Sequence, residues 1–199
     1  MIESIKASLT ESQNALAALL ANEEALKGVE AAAQMLIETF RKGGKVYSCG
    51  NGGSMCDATH FAEELTGKYR HERPALPAVV INDPGHLTCV ANDFGYEFVF
   101  SRYLEGHAKA GDALVALSTS GTSLSIVKAV EAAARLGATS IVLTGREDSI
   151  LARLADICIC TPGGAFADRV QELHIKVLHV LIELVERDMF PENYSSRAG

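Results

Sequence analysis

The chain has 199 residues, 48% of them apolar, with a formal net charge of −7. That length and apolar share exclude a disordered chain and support one packed domain, and the acidic balance argues against a nucleic-acid-binding surface. No run approaches the ~18 apolar residues of a membrane span, and Met1-Ile2-Glu3-Ser4 opens no signal-peptide core. The five cysteines, Cys49, Cys56, Cys89, Cys158 and Cys160, form no Cys-x-x-Cys pair, so a soluble cytoplasmic protein with reduced thiols is expected.

Residues 3–42 read as two helices broken near Asn22-Glu23-Glu24, with Ile5, Leu9, Leu16, Leu19 and Leu20 and then Val29, Ala33, Leu36, Ile37 and Phe40 at helical spacing. Gly43-Gly44 ends the second helix, and residues 45–49 read as the first strand. A helix follows over about 54–66, then a short apolar run at 78–81 and a turn at Asp83-Pro84-Gly85. Residues 113–117 and 140–143 read as buried strands, separated by an Ala-rich helix over 125–136 that Gly137 closes. A last strand at 157–160 precedes a long helix over about 166–188, stopped by Pro191. The alternation predicts an α/β fold: a doubly wound, largely parallel sheet flanked by helices, with N-terminal helices and a long C-terminal helix, in one domain spanning 1–199.

Two loops carry the functional signal. Ser48-Cys49-Gly50-Asn51-Gly52-Gly53-Ser54 and Leu117-Ser118-Thr119-Ser120-Gly121-Thr122-Ser123 each lie where a strand stops and a helix begins. Small residues there let a ligand approach the backbone, and helix starts offer unpaired N–H groups and a partial positive charge. The pair suggests a pocket for a phosphorylated, hydroxyl-rich ligand at the carboxyl edge of the sheet, where doubly wound folds bind ligands. Neither G-x-G-x-x-G nor the Walker phosphate loop is present.

His60 and Glu64, four apart in the helix after the first loop, share a face on which imidazole and carboxylate converge on a metal or substrate. Glu63 competes for that face, and spacing leaves the choice open; a solvated contact is the blander alternative. Gln171, His174 and His179 lie on the last helix, where His179 sits among Val177, Leu178, Val180, Leu181 and Ile182 and reads equally as a core histidine. Gln171 and His179 are separated by a rise of roughly 12 Å and a rotation of about 80°. They would share one ion only through a distorted helix or a site completed by another subunit. Asn92-Asp93 is turn chemistry by default, or a source of hydrogen bonds to sugar hydroxyls. Lys68, Arg70 and Arg73 form a basic patch that faces either a sugar phosphate or solvent, and Glu186-Arg187-Asp188 reads as a solvated helix end.

With His60-Phe61-Ala62-Glu63-Glu64-Leu65-Thr66-Gly67, Asn92-Asp93-Phe94-Gly95 and Ala167-Asp168-Arg169-Val170-Gln171-Glu172-Leu173-His174 added to the two loops, nearly the whole chain resembles the bacterial phosphoheptose isomerases of the sugar isomerase domain superfamily. The resemblance implies conversion of sedoheptulose 7-phosphate to D-glycero-D-manno-heptose 7-phosphate for lipopolysaccharide heptose, by a homotetramer with sites at subunit interfaces and one zinc per subunit. It implies His60, Glu64, Gln171 and His179 as zinc ligands and Glu64 and His179 as the acid/base pair. It implies Asn51, Gly52, Gly53, Glu64, Asn92, Asp93, Ser118, Thr119, Ser120, Ser123 and Gln171 as substrate contacts, and so selects Glu64 over Glu63. Met55 and Thr122 depart from the family pattern at positions that bear on substrate fit. Two competing readings, a non-catalytic tetrameric scaffold that binds a replication initiator and a sugar-phosphate-sensing regulatory domain, are disfavoured by the intact ligand set and by the lack of room for a DNA-binding domain.

Overall fold

The computed structural model describes residues 1–161, 163, 164 and 166–195. Two helices, α1 (Ile2–Ala21) and α2 (Glu23–Arg41), precede a five-stranded sheet made of β1 (Val46–Gly50), β2 (Ala78–Val80), β3 (Ala113–Ser118), β4 (Thr139–Thr144) and β5 (Ile157–Cys160). The helices between and after the strands are α3 (Gly53–Thr66), α4 (Pro84–Asp93), α5 (Ser101–His107), α6 (Leu124–Leu136), α7 (Ile150–Leu154) and α8 (Ala167–Met189). All strand pairs are parallel, in the order β2-β1-β3-β4-β5. The order reverses between β1 and β3, which places the crevice of this doubly wound fold between their carboxyl ends.

Alternation along the strands sends side chains to two cores. Val46 of β1 and Val115 and Leu117 of β3 face a layer built from α2, α3 and α8, while Tyr47, Cys49, Leu114 and Ala116 face α4, α5 and α6. With both faces covered, β1 and β3 are buried throughout, which is why they read as continuous apolar runs. Local chemistry sets the helix ends. The Asn22 side chain accepts from the Ala25 amide and starts α2, and Gly137 closes α6 at φ +72°, a conformation that costs glycine little.

The turn expected at Asp83-Pro84-Gly85 is instead a helix start. Asp83 accepts from the His86 amide at 2.7 Å with Pro84 in the first turn, so α4 runs on through Asn92 and Asp93. Those two residues therefore end a helix rather than form a free turn. The short helices α5 and α7 lie in stretches whose sequence showed no helical element.

Candidate active site

The first loop leaves β1 at Gly50, where an added Cβ would stand 2.5 Å from the Ser54 carbonyl oxygen, and turns into α3 at Gly52 with φ +56°. Its tightness brings the start of α3 against α8. A Cβ at Gly53 would lie 2.7 Å from Gln171 Nε2, so the glutamine amide rests on this backbone. The second loop, after β3, is a hydroxyl cradle. Ser118 Oγ accepts from the Gly121 amide and donates to Ser123 Oγ at 3.4 Å, and Ser120 Oγ accepts from the Thr122 amide at 3.3 Å. Gly121 has φ +68°, and a Cβ there would fall 2.3 Å from the Ser149 side chain. Ser123 starts α6 without a side-chain cap. A cleft lined by Thr119, Ser120, Gly145, Arg146 and Phe166 opens beside this cradle.

Two turns along α3, His60 Nε2 lies 2.9 Å from His179 Nε2 of α8 and 3.5 Å from Glu64 Oε1, while its Nδ1 lies 3.4 Å from Glu63 Oε2. The side chains whose donor atoms all lie within 4.8 Å of one another are His60, Glu63 and Glu64, with His179 joined through His60. Two imidazole nitrogens so close need a proton or a cation between them. Imidazole nitrogens and a carboxylate oxygen are donors that zinc takes, so this donor set would fit that metal. Burial raises the Glu64 carboxyl above its ordinary value, Glu63 adding to the effect and His60 opposing it. Burial, then His60, Lys176 and Arg70, lower the His179 imidazole. The Tyr69 ring tilts against His179, centroids 5.7 Å apart.

Glu64 and His179 are set by a strut absent from the sequence reading. Arg73, whose side chain is fully buried, donates from Nε to the equally buried Glu186 of α8 at 2.8 Å. Its Nη atoms donate to the carbonyls of Glu64 and Leu65 at the end of α3. Tyr194 donates to the other Glu186 oxygen. Arg73 therefore faces neither a sugar phosphate nor solvent, and Glu186 is no solvated helix end. Arg70 pairs with Glu183 at 2.7 Å.

The core histidine of α8 is His174, fully buried, while His179 is half-buried in the cluster. Within the chain, His60, Glu64 and His179 come together. Gln171 stays two turns away beside Gly53, on an α8 that runs unbroken from Ala167 to Met189. Asn92 donates to Asp93 at 2.7 Å, both exposed at the end of α4. Met55 is half-buried in the first turn of α3, and Thr122 Oγ1 donates to Ser120 Oγ.

A family model described as the SIS domain matches residues 9–145. The phosphoheptose isomerase of Aeromonas hydrophila is 54% identical over 187 residues, covering 94% of this chain and 97% of the relative. The chain belongs to the phosphoheptose isomerase family. Solved structures agree. The phosphoheptose isomerase of Neisseria gonorrhoeae aligns with a TM-score of 0.86 at 34% identity, over 92% of this chain and 97% of its own. That of Francisella tularensis gives 0.87 at 30% identity, over 94% and 98%. As a phosphoheptose isomerase family member, the chain keeps the sheet, the two switch-point loops and the α3–α8 cluster in one SIS-type architecture. Among the described residues no helix is long and apolar enough to cross a membrane.

Proposed function

We propose that the chain isomerises sedoheptulose 7-phosphate to D-glycero-D-manno-heptose 7-phosphate, in the cytoplasm and as a single-domain homotetramer. The observation that carries the reading is the meeting of His60, Glu64 and His179 beside the two switch-point loops, in a chain whose close relatives bear the name phosphoheptose isomerase. Glu64 takes the proton from C1 of the ketose while His179 protonates the carbonyl oxygen at C2, giving an enediol. Glu64 then returns a proton to C2 while the C1 hydroxyl gives its proton back to His179, leaving the aldose. The hydroxyls of Ser118, Thr119, Ser120 and Ser123, with the first amides of α6, hold the phosphate. Asn51, Gly52, Gly53, Asn92, Asp93 and Gln171 bind the hydroxyl-bearing chain.

His60, Glu64 and His179 would hold zinc, with Gln171 as the fourth ligand drawn from a neighbouring subunit. Bound there, zinc polarises substrate oxygens or orders the pocket. A tightly bound Glu64 is a poor base, so it moves between ligation and catalysis.

The test is incubation of the purified protein with sedoheptulose 7-phosphate, with and without chelator, alongside two variants. Glu64→Gln should lower kcat by roughly 10²–10⁴-fold with the fold intact, the usual worth of a placed base, and Glu63→Gln by less than about tenfold. The reverse ranking would transfer the base to Glu63. No aldose product from the metal-loaded enzyme would refute the activity.

A further inference from the structure

A chain of hydrogen bonds joins the three segments that carry the proposed substrate contacts. The Asn51 carboxamide, on the first loop, donates from Nδ2 to Ser125 Oγ at 2.9 Å, and Ser125 is buried in the first turn of α6, just past the hydroxyl cradle. The Asn51 Oδ1 accepts from the Tyr96 hydroxyl at 2.8 Å. Tyr96 opens a short 3₁₀ turn, Tyr96–Phe98, just after the α4 end that bears Asn92 and Asp93. That turn is aimed by Gly95 at φ +107° and packs against α4 and α6.

We infer that Tyr96 is a positioning residue for substrate binding, acting by fixing the Asn51 carboxamide. The torsion that turns an asparagine amide is broad and weakly held by its own sterics. An amide in a ligand site therefore needs outside partners to point one way. Ser125 and Tyr96 grip opposite ends of it, and each grip uses half of that atom's capacity. One N–H and one lone pair remain, in set directions, for a ligand hydroxyl. Ser125 is anchored in the core, but Tyr96 is 52% exposed and makes this contact from the rim of the site. Its hydroxyl does little for the fold and much for the orientation of the amide. No sequence pattern marks this role, because Tyr96 looks like an ordinary exposed aromatic after a turn.

The inference rests on the assignment of Asn51 to substrate. Steady-state kinetics with sedoheptulose 7-phosphate are measured for the zinc-loaded parent and for Tyr96→Phe, Asn51→Ala and the double variant, with thermal midpoints for all four. Tyr96→Phe should raise KM roughly threefold to tenfold, the worth of one neutral hydrogen bond, at an unchanged thermal midpoint. Its kcat should stay within about twofold, the split expected when ground-state and transition-state binding fall together. The double variant should match Asn51→Ala, because a tyrosine that acts through Asn51 has nothing left to position. A raised KM in Asn51→Ala with a parental KM in Tyr96→Phe overturns the role of Tyr96 alone, as does a double variant in which the two effects multiply. An unchanged KM in Asn51→Ala removes Asn51 from the substrate site and the proposal with it.

Discussion

His174 shows what a single buried imidazole does to this chain. It is fully buried on α8, and among the described residues neither ring nitrogen makes a well-formed hydrogen bond, the Thr144 backbone giving only a weak one. Burial pushes its pKa down to about 4 from 6.5, against the weaker pull of the Thr144 backbone. The unfolded chain therefore takes up a proton near pH 6.5 that the folded chain refuses until about pH 4. The stability is whole above pH 6.5 and drains away as pH falls through that window, by about 3 kcal/mol in total. Denaturant unfolding of the parent and His174→Leu across pH 4 to 7.5 should reveal the loss in the parent and its absence in the variant. Parallel pH profiles would show that the ring charges freely in the fold. Leucine also removes two buried nitrogens without well-formed hydrogen bonds, each worth about 1–3 kcal/mol, so the variant should fold.

Between elements, the joint of α3 and α8 decides where Glu64 and His179 stand. The α3 helix ends at Gly67 with carbonyls that need donors, and Arg73 supplies them while its Nε pairs with Glu186, seven residues beyond His179. Planarity and multiple donors suit arginine to this work. Arg73→Ala would strand the Glu186 carboxylate in the core, at a cost of about 3–5 kcal/mol. The double variant Arg73→Met/Glu186→Leu should recover part of that, because no unpaired charge remains. Urea midpoints measure both. A double variant no more stable than Arg73→Ala would mean that lost packing, not the stranded charge, sets the cost.

At the scale of the whole molecule, α1 is the anomaly. Of its 20 residues only Leu19 is buried, while Ile2, Ile5, Leu9 and Leu20 are each more than half exposed. Isolated apolar residues on a surface are ordinary, but four at helical spacing on one helix form a face that water does not favour. In the proposed homotetramer a neighbouring subunit would cover that face. Leu9→Asp, which places a charge within it, should shift the protein to smaller species in sedimentation at micromolar concentration, with secondary structure retained. A tetramer indifferent to the change would move the interface off α1.

Pattern and turn chemistry carried most of the fold into the sequence. Strands such as 113–117 are apolar because both faces of a parallel sheet are covered, and Gly137 marks the end of α6 because the conformation there favours glycine. The short helices escaped, since five to ten residues give too few repeats for periodicity to register and Asp83 caps as readily as it turns. In the site, the loops, the His60–Glu64 face and the candidacy of His179 were legible because they depend on local spacing. The choice between His174 and His179 for the core, the recruitment of Arg73 and Glu186 into a strut, and the grip of Tyr96 on Asn51 were not. Each joins residues far apart in the chain, 113 positions for the strut and 45 for the tyrosine. Sequence determined which groups this chain carries and which helix or loop presents them. The packing of α3 against α8 and the meeting of the Tyr96 turn with the first loop decided which groups meet, because burial and pairing are properties of neighbours in space.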